Sequence, residues 1–158
     1  IALKALDEVV EVLCEIPDGK APTVFSMFAN ASKLEANTSS TVVGGMVTAM
    51  KATNIVDSWP NTEGADRLTI NLETVFAANP DIMIIQCHAG TDAAKKQVAE
   101  AYGNNAVWNS LNAVKNGKVF YLEKTLFHNK PNSRFAEAYQ VLAEILYPDV
   151  AFSFKSAE

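Results

Sequence analysis

The stretch from Leu72 to Gly90 constrains this chain more than any other. Leu72-Glu73-Thr74-Val75-Phe76-Ala77-Ala78 suits a short helix that Asn71 can cap. Asn79-Pro80 stops it, because the residue before a proline is driven out of the helical region. After Asp81 comes an unbroken apolar run, Ile82-Met83-Ile84-Ile85. A short run of this kind between stop signals predicts a strand buried on both faces, as in a parallel sheet. In open sheets of that kind, ligands collect just beyond the carboxyl ends of the strands. Cys87 and His88, which follow the run, therefore stand where a ligand is expected.

The remainder of the chain alternates in the same way. Leu3, Leu6, Val9, Val10 and Leu13 recur at helical spacing, and Pro17 with Asp18-Gly19 ends that helix. Thr23 to Phe28 predicts a first strand, and Asn30 to Ser40 a polar loop that delivers Ser39 or Ser40 as a helix cap. The next helix spans about Thr41 to Ala52, with Val42, Val43, Met46, Val47 and Met50 inward. Asn54 to Asp57 predicts a short strand and Ser58 to Ile70 a long loop. Beyond the central stretch, Thr91 caps a helix to Tyr102 that Gly103 closes. A short helix within Val107 to Asn116, a strand over Lys118 to Leu122, and a polar loop over Glu123 to Asn132 follow. The last helix runs from Ser133 to Leu146, with Phe135, Ala138, Leu142, Ile145 and Leu146 inward, and Pro148 stops it. Strands alternating with helices predict an α/β three-layer sandwich. Its central sheet is mainly parallel, of about four to five strands, with helices on both faces.

Composition narrows the function classes. In 158 residues, 49% hydrophobic and 20% charged, one domain with a sizeable core is expected. The net charge of −5 and the scattered basic residues exclude a nucleic-acid surface. No apolar run reaches the roughly 18 residues needed to cross a membrane as a helix. The chain opens Ile1-Ala2-Leu3-Lys4 within a helical pattern, which predicts a fragment or a processed product. Cys14 and Cys87 allow one disulfide at most, and spacing alone decides neither pairing nor compartment.

No side-chain pattern announces catalysis. There is no GxSxG elbow and no pair of carboxylates at neighbouring strand ends. Gly44-Gly45 lacks the spacing of a phosphate loop. His88 and His128, with Cys87, could hold a metal or haem, but no HxxxH or CxxC spacing supports it, and ordinary polar loop residues are the commoner outcome. What the strand ends offer instead is long loops with aromatic rings and one guanidinium: Phe28 and Asn30 after the first strand, Trp59 and Arg67 in one loop, Phe127 and His128 in another. Such loops suit a bulky polar or anionic ligand. Trp59 fits a lid on the core equally well, Arg67 fits a plain surface residue equally well, and Trp108 fits the core better. Glu73, in the first turn of its helix, either compensates the helix dipole, worth about 0.3–1 kcal/mol, or offers a carboxylate to a basic partner.

Two segments carry a family resemblance. Ile70-Asn71-Leu72-Glu73 through Asn79-Pro80-Asp81-Ile82-Met83-Ile84, and Trp108-Asn109-Ser110-Leu111-Asn112-Ala113-Val114-Lys115-Asn116-Gly117-Lys118-Val119-Phe120-Tyr121-Leu122, resemble binding proteins of ABC importers for iron–siderophore complexes, haem and cobalamin. Ala136 to Pro148 is similar to that family's closing helix. The resemblance implies two α/β lobes joined by a rigid helix, with the ligand between them. Residues 1–16 would end that helix, residues 17–158 would form the carboxyl-terminal lobe, and the amino-terminal lobe is absent from this chain. It implies no enzyme activity and no resident cofactor; the cargo would be a ferric chelate, with haem or cobalamin as variants. It implies a permease partner docked through Glu73, and ligand contacts from Trp59, Arg67, Phe127 and His128, with His88 and Asn30 on the same rim. It implies a periplasmic or extracellular location, with or without a lipid anchor. A cytosolic α/β enzyme or nucleotide-binding module would use the same strand ends but should show a Gly-rich phosphate loop. A lobe with a purely regulatory or structural role, binding nothing, is the third alternative.

Overall fold

The computed structural model describes residues 2–16, 22–30, 33–60, 62–88, 90–122, 135–150 and 152. Within them the elements run α1 (Ala2–Cys14), β1 (Thr23–Ala29), β2 (Leu34–Asn37), α2 (Val42–Ala49), β3 (Thr53–Asn54), a 3-10 turn (Ile55–Ser58), β4 (Arg67–Thr69), α3 (Leu72–Ala78), β5 (Ile82–Cys87), α4 (Thr91–Tyr102), α5 (Ala106–Ser110), α6 (Asn112–Lys115), β6 (Val119–Leu122) and α7 (Phe135–Leu146).

The sheet is built outward from β1 and β5. Every residue of β5 is buried, and so is every residue of β1 after Thr23. These two strands pair in parallel from Val24↔Ile82 to Ala29↔Cys87, and β6 adds in parallel to β5. The other edge of β1 is shared. Its first two residues pair in parallel with β3, and its last three pair antiparallel with β2, which in turn pairs antiparallel with β4. The order is therefore β4-β2-β1-β5-β6, with β3 tucked beside the start of β1. Because two antiparallel steps separate them, β4 runs in the same direction as β1.

Alternation along the strands divides the core into two layers. Val24, Ile82, Ile84 and Leu122 face α1, α2 and α7, where Val12, Val47, Met50 and Leu142 are fully or nearly fully buried. Phe25, Met27, Met83, Ile85 and Cys87 face the 3-10 turn and α3 to α6, with Trp59, Val75, Trp108 and Leu111. Trp108 is core, as expected, and its ring stacks on Tyr102 at 4.9 Å. The mainly parallel three-layer architecture matches the sequence expectation, with the sheet extended to six strands among the described residues.

The central stretch folds as its residues dictate. Asn71 Oδ1 accepts from the amides of Glu73 and Thr74, capping α3. Asn79 ends the helix in the left-handed region at φ 44°, which asparagine tolerates better than most side chains. Its own Oδ1 then accepts from the Asn112 amide at 3.0 Å, supplying a cap that Leu111 cannot give to α6. Asp81 takes hydrogen bonds from both the amide and the hydroxyl of Thr23, and returns its amide to the Thr23 carbonyl at 3.0 Å. Asn79-Pro80-Asp81 thus ends a helix, caps another and locks the starts of β1 and β5 together.

Several local expectations are corrected. Asn30 to Ser40 is no continuous loop: Leu34–Asn37 forms β2, antiparallel to β1, and the Asn30 amide donates to the Lys33 carbonyl. The long Ser58–Ile70 loop contains β4. The predicted Asn54–Asp57 strand is two strand residues followed by a 3-10 turn, because the Asn54 side chain accepts the Val56 amide and curls the chain. Thr41, not Ser39 or Ser40, caps α2, since Ser39 is held by Asp57 and Thr48 instead. Val42 is exposed, and α2 stops at Ala49. At α4 the cap position is Gly90 at φ 103°, and Thr91 is already the first helical residue. Val107–Asn116 holds two short helices, α5 and α6. In the second half of α1, Val9 and Val12 are buried with Leu13 beside them, Ile16 is buried just beyond the helix, and Val10 is 55% exposed, while the side chains of Leu3 and Leu6 lie outside the described ones.

Gly44 has a steric reason to be glycine. A Cβ there would run into the Thr38 carbonyl oxygen, whereas one on Gly45 would stand 3.3 Å from the Ser39 carbonyl oxygen, a tight contact but a milder one. Gly44→Ala should therefore destabilise the fold by about 1–3 kcal/mol through overpacking. Gly45→Ala should be close to neutral, because the helix-propensity gain of up to about 1 kcal/mol opposes a milder contact. Urea unfolding of the two variants side by side checks the ordering.

Candidate functional site

The face of the sheet that packs on α1, α2 and α7 changes character along its length. Near the strand starts it is apolar, through Val24, Ile82 and Ile84. Towards the carboxyl rim it becomes polar, through Ser26 on β1, Gln86 on β5 and Asn37 on β2, all buried. Asn37 reaches across β1 so that its Nδ2 donates to Gln86 Oε1 at 3.2 Å. Its backbone carbonyl receives Asn54 Nδ2 at 2.9 Å. Among the described residues, Ser26 Oγ and Asn37 Oδ1 have no hydrogen-bond partner although neither residue is exposed. Unmet buried polar atoms cost about 1–3 kcal/mol each, so this is an expensive place to put them.

Above this polar patch the rim carries a cation on an aromatic ring. Arg67 is the first residue of β4 and lies on the same face as Phe28. Its guanidinium carbon sits 4.0 Å from the centroid of the Phe28 ring, a close cation–π contact. The His88 ring meets the same phenyl edge-on, with centroids 6.1 Å apart at 67°. The His88 amide also donates to the Ala29 carbonyl at 3.0 Å, extending the β1–β5 pairing past the last strand residues. Arg67 is exposed and Phe28 buried, so the ring is a floor and the guanidinium the surface presented outward. Lys33 and Glu35 pair at 3.5 Å on the neighbouring hairpin strand.

The remaining candidates fall elsewhere. Asn30 is on the rim, half-buried, and helps line a 240 Å³ recess against Ala93, Lys96 and Gln97 of α4. Trp59 lies on the opposite face of the sheet, 93% buried and 6.0 Å from the Phe25 ring, so it does not join the Arg67 cluster. It walls a separate cavity of about 310 Å³ with Leu68, Thr69, Asn71 and Thr74. Phe127 and His128 lie outside the described residues. Glu73 is exposed in the first turn of α3, and among the described residues no cation pairs with it. Since α3 begins three residues after β4 ends, Glu73 stands on the same carboxyl rim as Arg67.

Cys87 and His88 separate by strand alternation. Cys87 faces the α3–α6 layer, fully buried, while His88 meets Phe28 on the other side. Among the described residues no group of three or more potential metal ligands comes together. Burial pushes the Cys87 thiol up to about 11, against a smaller downward pull from Lys95. Burial likewise raises the Tyr121 hydroxyl, and Cys87 adds to the effect.

Sequence reasoning noted Phe28 only as a strand-end aromatic and passed over Ser26, Asn37 and Gln86. A signal was present for two of them. Ser26 and Gln86 are polar residues at inward positions of strands otherwise apolar throughout.

An open, mainly parallel sheet flanked by helices thus brings Arg67, Phe28 and His88 together at its carboxyl rim. The chain belongs to the periplasmic binding protein family, whose model matches residues 2–126. The high-affinity heme uptake system protein IsdE of Staphylococcus aureus is 24% identical over 130 residues, covering 82% of this chain and 43% of the relative. The structure of that protein complexed with heme superposes with a TM-score of 0.76 at 22% identity, over 92% of this chain and 57% of the other. An ABC transporter substrate-binding protein from Listeria monocytogenes gives a TM-score of 0.79 at 23% identity, over 94% and 56%. The triscatecholate siderophore binding protein FeuA from Bacillus subtilis, complexed with ferri-bacillibactin, gives 0.68 at 19% identity, over 93% and 52%. The chain thus spans about half the length of the proteins it resembles.

Cysteine chemistry offers a direct check on this geometry. With its thiol near 11, about one Cys87 in a thousand is ionised at pH 8, and it is buried as well. Iodoacetamide at pH 8 should therefore label the exposed Cys14 and leave Cys87 unmodified until the protein is unfolded, as peptide mass spectrometry would show.

Proposed function

We propose that this chain is the carboxyl-terminal lobe of a two-lobe solute-binding protein that delivers a bulky anionic metal chelate, foremost an iron–siderophore complex, to an ABC importer. Residues 1–16 end the helix joining the lobes, and residues 17–158 form the lobe itself. The protein is a periplasmic or extracellular binding component, lipid-anchored or not, with no catalytic step of its own. Family membership and the half-length match to relatives support this reading.

The observation that carries the ligand class is the Arg67 guanidinium resting on Phe28 at the carboxyl rim. A guanidinium held by one face keeps its outer face and N–H edges for carboxylate or catecholate oxygens. Stacking also restricts the side chain before the ligand arrives, which lowers the entropy lost on binding. His88 borders the same surface and Asn30 lines the recess beside α4, while Phe127 and His128, which lie outside the described residues, complete the expected ligand contacts. Trp59 contributes from beneath, as a wall of the core, more readily than by direct contact. Haem is the second reading: its propionates suit Arg67, and His88, beside Phe28, or His128 would supply the axial ligand to its iron. Glu73, exposed and without a cation partner among the described residues, docks onto a basic group of the permease.

The full-length protein should quench its tryptophan fluorescence when titrated with a ferric triscatecholate or with haem; silence towards ferric siderophores, haem and cobalamin alike would defeat the chelate reading. Arg67→Ala should weaken chelate affinity by about 1.5–3 kcal/mol, roughly 10- to 150-fold, as expected for a lost charged hydrogen bond. Glu73→Arg should abolish uptake in cells while leaving chelate affinity intact, and normal uptake by that variant would remove its docking role.

A further inference from the structure

Helix α3 carries an aromatic ring that its own fold does not use. Val75 is completely buried, yet Phe76 is 50% exposed. Residues three and four apart are neighbours on a helix surface, so Phe76 and Ala77 flank Glu73 on one outward face. All three are exposed. The face therefore presents an exposed carboxylate, a small residue and a phenyl ring side by side. It stands on the carboxyl rim, held by the Asn71 cap at one end and the Asn79 turn at the other.

We propose that Phe76 is the apolar half of the docking footprint whose charged half is Glu73. The inference rests on the reading of Glu73 as the docking residue, and it specifies the partner's chemistry. The permease would present a guanidinium or ammonium group for Glu73, bordered within one helical turn by an apolar surface that covers the Phe76 ring. Aromatic side chains suit this use because they bury a large area with few rotatable bonds to immobilise. A carboxylate and a ring also divide the work. The charge steers approach and is screened by salt, whereas contact by the ring is not.

The test uses the full-length protein and its ABC permease in lipid nanodiscs, with docking affinity measured at low and high salt. Thermal midpoint and affinity for a ferric triscatecholate are measured alongside. Phe76→Ser should weaken docking about tenfold at both salt concentrations, Phe76→Leu should retain most of the affinity, and chelate binding and thermal midpoint should not change. Glu73→Gln should weaken docking chiefly at low salt. Normal docking by Phe76→Ser together with impaired docking by Glu73→Gln overturns the inference and leaves the Glu73 reading standing. Normal docking by both variants overturns the two together. A lowered thermal midpoint or chelate affinity in Phe76→Ser also overturns it, because the ring would then be covered by another part of the same polypeptide.

Discussion

The pairing of β1 with β5 is the constraint on which the rest of the fold depends. Both strands are buried on both faces, so a slip of one residue would turn the apolar face of one strand against the polar positions of the other. The register is fixed where it begins, by the exchange of hydrogen bonds between Thr23 and Asp81. The same three-residue turn fixes α6 through Asn79, and with it the approach to β6. From this start the two strands run level, and Phe28, Gln86 and His88 arrive together at the far end. The rim is assembled by a clamp at the opposite edge of the sheet.

The polar interior near the rim is what distinguishes this sheet from a plain core. One hydrogen bond joins Asn37 to Gln86 across β1, but among the described residues Ser26 Oγ and Asn37 Oδ1 find no partner. A fold selected only for stability would place apolar side chains there. The arrangement does keep β2 in register, because Asn37 joins β5 by its side chain and Asn54 by its carbonyl. Since β2 in turn sets β4, the polar patch positions Arg67 over Phe28.

Much of this was legible in the sequence, and the reasons for the rest are physical. The Ile82–Ile85 run, the Asn71 cap and the Asn79-Pro80 stop each follow from local chemistry, and each forms as expected. Strands β2 and β4 were hidden because Leu34-Glu35-Ala36-Asn37 and Arg67-Leu68-Thr69 are too short and too polar to show a period. In α1, Val9, Val10, Val12 and Leu13 allow two adjoining stripes, and only the packing against α7 selects the one containing Val12. The strand-end position of His88 could be read locally. The contact between Arg67 and Phe28 could not, since it depends on an antiparallel pairing through β2 that no local pattern announces.

On the proposed function, one short connection would hold the tasks of Arg67 and Glu73 in fixed relation. The Arg67 guanidinium reaches the carboxyl rim from the start of β4, and Glu73 stands there in the first turn of α3. Their surroundings differ in kind. Arg67 is drawn inward onto a ring whose own position is set by the β1–β5 pair, which suits a charge that must be placed accurately against a ligand. Glu73 has its amide tied down by Asn71 but its carboxylate facing outward, which suits a charge that meets a second protein. Only Ile70 and Asn71 lie between the end of β4 and the start of α3, so the two charges cannot drift apart without breaking the cap or the strand pairing. On the proposed function, ligand and permease are thereby presented to one another by a rigid segment, and delivery calls for little rearrangement within the lobe.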